Sequence, residues 1–333
     1  MTADPRASVF VTDCDHPSVA IERRIVEAAG LGLELRQCRT EAEVASACRD
    51  AAGLIVQYAP ITRTVLAALP RCRVVVRYGV GTDTVDVDAA TEHGVAVCNV
   101  PDYGVEEVSD HALALLLALG RRIVTLDRAV RGGDWSLASS PDVRRLRGRV
   151  LGLVGLGRIG RAVARKAVAL GFEVVAHDPV AAPPEPGVTN VGLDELLTRS
   201  DFVSLHAPLV PATHHLFDDA TFRRMKPGAF LINTARGGLV DTDALTRALA
   251  DGRLAGAGID VLEQEPIAPG HPLLGQLNCL LTPHAGWFSQ DAFAELKTKA
   301  AEEAVAVLTG AAPRYCLNPG ALVRPGQTAT APP

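Results

Sequence analysis

The sequence predicts an α/β protein built from two doubly wound parallel-sheet domains, one inserted into the other. Three observations carry that expectation. Short β-branched strands alternate with amphipathic helices in two successive series, which implies parallel sheets covered on both faces. Pro101 interrupts the chain between the series, and a last helix follows the second. The domains are therefore expected at residues 1–100 plus 288–317 and at residues 101–287, with 318–333 as a Pro/Gly/Ala-rich flexible tail.

The first series reads as strands at Ser8–Thr12, Gly53–Tyr58, Arg73–Arg77 and Val95–Cys98, with a helix over Ala20–Ala29 stopped by Gly30. A long helical stretch begins near Val105. The second series opens at Val150–Val154 and continues with strands at Glu173–His177, Phe202–Leu205, Phe230–Asn233, Gly256–Asp260 and Cys279–Thr282. The spacings suit crossover helices. After Trp287 an amphipathic helix runs to about Leu308 and is expected to return to the first domain.

With 333 residues, 48% hydrophobic and 21% charged, the chain has material for two well-filled cores. A net charge of −5 offers no basic field for nucleic acid. The seven cysteines are scattered with no C-x-x-C pair, so they read as small apolar fillers in a reducing compartment. The N-terminus lacks a basic segment followed by an apolar run, and Ala112–Gly120 is too short to span a bilayer. No membrane association and a cytoplasmic location are expected.

Gly155-Leu156-Gly157-Arg158-Ile159-Gly160 is a G-x-G-x-x-G pattern between the strand Val150–Val154 and an apolar-periodic helix, Ile159–Leu170. The bare pattern is weak, and the strand and helix around it give it force. Gly155 permits the tight turn, Gly157 lets a pyrophosphate approach the backbone, and Gly160 allows close helix–strand packing. The helix N-terminus then offers N–H groups and partial positive charge to phosphates. Asp178 closes the next strand, eighteen residues after Gly160, where a carboxylate accepts from both ribose hydroxyls and repels a 2′-phosphate. NAD is the expected cofactor.

Arg236, Glu265 and His284 each follow the end of a different predicted strand, at the sheet edge where an open α/β fold binds its ligands. Reduction of a 2-keto acid places negative charge on the carbonyl oxygen. A protonated His284 can donate to that oxygen, and Glu265 beside the imidazole would favour its charged form. Arg236 can hold the substrate carboxylate or polarise the carbonyl with a planar fork. His214 and His215 are adjacent, and neighbours diverge on a helix or strand, so no metal site is expected there.

With Asn233–Asp241, Asp260–Pro266 and Thr282-Pro283-His284, these motifs resemble the D-isomer-specific 2-hydroxyacid dehydrogenases over nearly the whole chain before the tail. The resemblance implies a Rossmann NAD domain inserted in a flavodoxin-like substrate domain, closure over the substrate, and a homodimer formed through the helix after Pro101. It implies Arg236, Glu265 and His284 as the catalytic set. Asp260 would bind the nicotinamide amide, with Arg158, Ile159, His206, Ala207, Pro208, Thr213, Thr234, Ala235, Arg236 and His284 along the cofactor. A substrate loop is implied within Arg77-Tyr78-Gly79-Val80-Gly81, where N–H groups of Val80 and Gly81 meet a carboxylate. Formate dehydrogenases resemble this chain but carry an amide at the position of Glu265, so the carboxylate points to a small 2-keto or 2-hydroxy acid.

Val97–Pro101, Gly228–Asn233 and Pro283–Ser289 resemble the branch of C-terminal-binding proteins and phosphoglycerate dehydrogenases. That likeness implies Trp287 against the substrate, with Arg77 and Tyr78 nearby, and an indole wall suits an apolar or thioether side chain. Three readings follow: a 2-keto acid reductase, an NADH-sensing binding protein with vestigial catalysis, or a specialised oxidation outside the 2-hydroxyacids, which Glu265 weakens only for formate. The complete set of Arg236, Glu265 and His284 favours the enzyme.

Overall fold

The computed structural model describes residues 7–15, 18–137, 143–180 and 184–322. The chain divides into two compact units, one of residues 1–104 with 289–333 and one of residues 105–288. Both are α/β, and their sheets are parallel throughout the described residues.

The first unit holds β1 (Ser8–Val11), β2 (Gly32–Leu35), β3 (Gly53–Val56), β4 (Val74–Arg77) and β5 (Ala96–Cys98), in the order β2-β1-β3-β4-β5. This is a flavodoxin-like winding. β3 is buried along its whole length, as a central parallel strand covered on both faces must be. The helix Gln290–Thr309 belongs to this unit and buries Leu296, Ala300, Ala304 and Val307. The Arg73 guanidinium donates to the carbonyls of Val307 and Leu308 at 3.1 and 3.2 Å, satisfying groups that the last helical turn leaves open. Asn318, expected to begin a flexible tail, is buried instead. Its amide accepts from Val97 N at 2.7 Å and donates to the Val95 carbonyl at 2.9 Å. Residues 323–333, the remainder of that expected tail, lie outside the described residues.

The second unit holds β6 (Val150–Val154), β7 (Glu173–His177), β8 (Val188–Asn190), β9 (Phe202–Leu205), β10 (Ala229–Asn233), β11 (Leu254–Ile259) and β12 (Cys279–Leu281). Their order, β12-β11-β10-β9-β6-β7-β8, reverses between β6 and β9, which defines the crevice where such sheets take a dinucleotide. The core clusters Val154, Val175, Leu205, Leu231 and Ile259 with Phe217 and Phe222. On the opposite face Leu151, Leu153, Val174 and Ile232 meet Leu115 and Leu116 of the helix Val105–Gly120.

Two strands escape the sequence pattern, β2 and β8, and both are edge strands. An edge strand buries fewer side chains, so Glu34 and Leu35 of β2 and Thr189 and Asn190 of β8 face solvent and interrupt the apolar run. The seven cysteines are free thiols, six of them buried. Among the described residues no helix is long and apolar enough to cross a membrane.

Candidate active site

The glycine loop leaves β6 at the switch point. Gly155 has φ +95°, and a Cβ there would lie 2.6 Å from the His206 carbonyl oxygen, so the turn after β6 packs directly on the turn after β9. His206 N donates back to Val154 O at 2.7 Å. A Cβ on Gly160 would meet Gly155 O at 2.3 Å, whereas one on Gly157 meets nothing within 4 Å. Two glycines thus serve the backbone's own packing, and the middle one faces open space. Gly157 is also the N-cap of the helix Arg158–Ala169, with no side-chain cap hydrogen bond.

Asp178, at the end of β7, accepts from Leu156 N at 2.8 Å and from Val180 N at 2.9 Å. Its carboxylate is therefore fastened to the glycine loop and also starts the turn at Pro179. At the end of β10, the Thr234 hydroxyl is buried with no hydrogen-bond partner. A buried orphan hydroxyl is costly unless a ligand satisfies it. Open space over Gly157 and the orphan at Thr234 both fit a dinucleotide along this edge. Thr213 bonds back to its own turn, donating to Pro208 O at 2.7 Å. Burial pushes the His206 imidazole down to about 4, and its Nε2 lies 2.9 Å from Ser204 Oγ, so it is a neutral packing group beside the loop.

Arg236 follows β10 in a loop fixed by Asn233, whose side chain accepts from Ala235 N at 3.0 Å and donates to Arg236 O at 2.9 Å. The guanidinium donates to Ala235 O at 2.7 Å. The next residue, Gly237, must be glycine: a Cβ would sit 1.9 Å from the carbonyl carbon of Leu262. That close approach joins the Arg236 loop to the loop after β11 that carries Glu265.

Glu265 and His284 meet directly, with Glu265 Oε2 2.8 Å from His284 Nδ1. The other carboxylate oxygen accepts from Leu262 N at 2.8 Å. Burial works against the charge on Glu265, but the hydrogen bonds from His284 and Leu262 N hold its carboxyl below the usual carboxylate value.

His284 adopts φ +56°, a left-handed conformation uncommon outside glycine. Such a residue costs on the order of 1–3 kcal/mol and persists only where its surroundings over-determine it. Asp260 supplies those surroundings. Its backbone carbonyl accepts from His284 N at 2.8 Å, Oδ1 from Thr282 Oγ1 at 2.6 Å and Ala285 N at 2.8 Å, and Oδ2 from Gly286 N at 2.8 Å. Burial opposes ionisation of Asp260, yet these donors and His111 keep its carboxyl below the ordinary range. The Thr282 hydroxyl hydrogen is committed to Asp260, so His111 Nε2, 2.9 Å away, donates to that hydroxyl. The sequence marks Asp260 only as a cofactor contact and gives His111 no part in the site. In the fold, both brace the turn that presents His284. The ring of Trp287, half-buried, stands edge-on to Phe288 at 5.6 Å.

Within the first unit, the implied substrate loop follows β4. Gly79 has φ +122° with the Arg77 guanidinium folded against it, and a Cβ there would lie 2.0 Å from Arg77 Nη1. Asn99 Nδ2 donates to Val80 O at 2.6 Å, and Val100 N donates to Gly79 O at 2.9 Å, fixing the loop from the Val97–Pro101 segment. Val80 is exposed. Tyr78 departs from expectation: it is buried and its hydroxyl donates to Glu22, which also pairs with Lys297 Nζ at 3.0 Å. Alternation along the extended segment turns Tyr78 inward, so it props the loop from beneath.

His214 and His215, expected to diverge, instead stack with ring centroids 4.0 Å apart. They lie in a turn, and φ +51° at His215 folds its ring over its neighbour.

A family model described as D-isomer specific 2-hydroxyacid dehydrogenase, NAD binding domain, matches residues 113–286. The chain is 44% identical over 265 residues to a glyoxylate reductase of Korarchaeum cryptofilum, an overlap of 78% of this chain and 80% of that protein. It is 40% identical over 269 residues to a D-3-phosphoglycerate dehydrogenase of Mycobacterium bovis, covering 80% of this chain and 51% of the longer relative, so it spans about half that protein's length. The crystal structure of a D-lactate dehydrogenase from Aquifex aeolicus, complexed with NAD and lactic acid, matches with a TM-score of 0.85 at 29% identity, over 93% of this chain and 99% of that one.

Proposed function

The chain belongs to the D-isomer-specific 2-hydroxyacid dehydrogenase family, as an NAD(P)-dependent oxidoreductase acting on CH–OH groups, and from that premise we propose that it reduces a small 2-keto acid with NADH. The observation that carries this reading is the contact between His284 Nδ1 and Glu265 Oε2 at 2.8 Å. With Nδ1 committed to the carboxylate, Nε2 is the ring atom that delivers a proton to the substrate carbonyl oxygen and recovers it in the reverse direction.

Gly155, Gly157 and Gly160 with the helix start at Arg158 and Ile159 would hold the pyrophosphate. Asp178 would take the ribose hydroxyls, and His206–Pro208, Thr213 and Thr234–Arg236 would line the cofactor. Asp260 would meet the nicotinamide amide with oxygens that already brace the His284 turn. When bound, the dinucleotide supplies the hydride. Arg236 orients the substrate carboxylate or carbonyl. In the first unit, the N–H groups of Val80 and Gly81 and the Arg77 guanidinium suit a carboxylate, with Gly79 allowing the backbone to turn outward. Trp287 supplies an apolar surface that favours a hydrocarbon or thioether side chain on the acid. The carboxylate of Asp178 disfavours a 2′-phosphate, so NAD is preferred over NADP.

The test is NADH oxidation against a panel of 2-keto acids: glyoxylate, pyruvate, hydroxypyruvate, and branched, aromatic and thioether types. Turnover with at least one is expected. Tight NADH binding without turnover on any would replace this reading with that of an NADH-sensing protein.

A further inference from the structure

We propose that His214, His215 and Glu263 form a binding site for a borderline divalent cation of the Zn²⁺ class, separate from the His284–Glu265 pair. One ligand atom from each of the three side chains lies within 4.8 Å of the others. His215 Nε2 is already 2.5 Å from Glu263 Oε1. Zinc–nitrogen and zinc–oxygen bonds of about 2.0–2.2 Å place tetrahedral ligand atoms about 3.3–3.5 Å apart. The observed separations bracket that value. The three side chains lie at or near the surface.

The backbone beneath is held by bonds that do not involve the ligand atoms. His215 N donates to Gly238 O at 2.8 Å, Phe217 N donates to Leu239 O at 3.0 Å, and Gly237 abuts Leu262, next to Glu263. The two histidines and the carboxylate therefore come from two loops clamped to the same short segment. Glu263 is oriented as well: Thr242 donates to Oε2 from its N at 2.8 Å and from its hydroxyl at 2.5 Å, directing Oε1 toward the histidines. A carboxylate fixed through its second oxygen is the arrangement that tunes a metal ligand.

Two imidazoles and one carboxylate select Zn²⁺, Ni²⁺ or Cu²⁺ over Ca²⁺ and Mg²⁺, which take oxygen ligands in larger number. Exposure leaves the remaining coordination positions to water. The bound cation would tie the His214–His215 turn to the Leu262–Glu265 loop. A plain His215–Glu263 ion pair explains neither the stacking of His214 on His215 nor the convergence of all three.

The experiment is calorimetric titration of the full chain with ZnCl₂ in a non-coordinating buffer, repeated with CaCl₂. One equivalent of Zn²⁺ per chain is expected, with Ca²⁺ at least tenfold weaker. His214→Ala and Glu263→Gln should each weaken Zn²⁺ binding by more than the roughly tenfold that loss of an outer-shell partner costs. His93→Ala, in the other unit, should leave it unchanged. Because His284 and Glu265 are a second His–carboxylate pair, His284→Ala is titrated in parallel. Loss of the equivalent in His284→Ala, with retention in His214→Ala, would overturn the proposal, as would the absence of saturable Zn²⁺ binding to the unaltered chain. Unchanged circular dichroism in each variant separates loss of a ligand from loss of fold.

Discussion

Glu265 Oε2 lies 2.8 Å from His284 Nδ1, and the two residues reach this contact from loops that follow different strands, β11 and β12. The pair commits Nδ1 to the carboxylate and leaves Nε2 as the nitrogen proposed to meet the substrate. His284→Ala is expected to lower 2-keto acid reduction by on the order of 10²–10⁴-fold while NADH affinity stays nearly the same. Fluorescence titration with NADH beside steady-state rates checks this. Substantial turnover in the variant would remove His284 as the proton donor.

Arg236 stands in a loop locked by Asn233 and by Gly237, so its guanidinium has a defined origin. Arg236→Lys keeps the charge and loses the fork. Activity should fall at least tenfold with a raised KM for the keto acid, since a point charge does not reproduce bidentate geometry. Near-normal kinetics would argue that Arg236 does not hold the substrate.

Asp178 contacts the glycine loop through Leu156 N, so its carboxylate sits where the ribose of a bound cofactor is proposed to lie. Asp178→Ser should erode the preference for NADH over NADPH, measured as the ratio of kcat/KM for the two. An unchanged ratio would sink the assignment.

Gly157 and Gly160 separate ligand binding from folding. Gly157→Ala meets nothing within 4 Å, so the thermal midpoint should hold while NADH affinity drops. In Gly160→Ala the new Cβ falls 2.3 Å from Gly155 O, and the forced shift should cost about 1–3 kcal/mol of stability as well as cofactor binding. Equal melting points for the two variants would contradict this packing.

Asp201 gives a pH prediction away from the site. Burial opposes its charge, but Lys226 Nζ at 2.7 Å, Val150 N at 3.0 Å and Arg149 at 3.1 Å hold its carboxyl below the ordinary value. A depressed carboxyl contributes stability above its unfolded pKa of about 3.9, and that contribution fades as pH falls through the folded value. Asp201→Asn should therefore cost about 1–3 kcal/mol at pH 7. The gap to the unaltered chain should narrow in denaturation series run below about pH 4. A pH-independent gap would mean that the charge is not what stabilises.

Among the described residues twelve strands form the two sheets, and the two without a legible signal, β2 and β8, are edge strands with exposed side chains, whereas the edge strands β5 and β12 keep theirs covered and stay apolar. A central parallel strand is buried on both faces and must be continuously apolar, as in Gly53–Val56, whereas an edge strand can carry Glu34 or Asn190 at no cost. The candidate site was legible for a similar reason. Gly155–Gly160, Arg236, Glu265 and His284 each follow a strand whose end the apolar pattern marks, and parallel winding gathers those ends on one edge.

What the sequence determined by itself was the alternation of elements, hence two parallel sheets, and the chemical types available at their carboxyl ends. Only the tertiary structure decided which atoms meet. Asp260 braces the His284 turn through Thr282, Ala285 and Gly286, Tyr78 turns inward to Glu22, and His214 folds onto His215. None of these follows from spacing. Each depends on a positive φ or on a contact between distant segments, quantities that the one-dimensional pattern of apolar and polar residues does not encode. The strands at Glu265 and His284 bring the pair within reach; the 2.8 Å contact between them belongs to the folded chain alone.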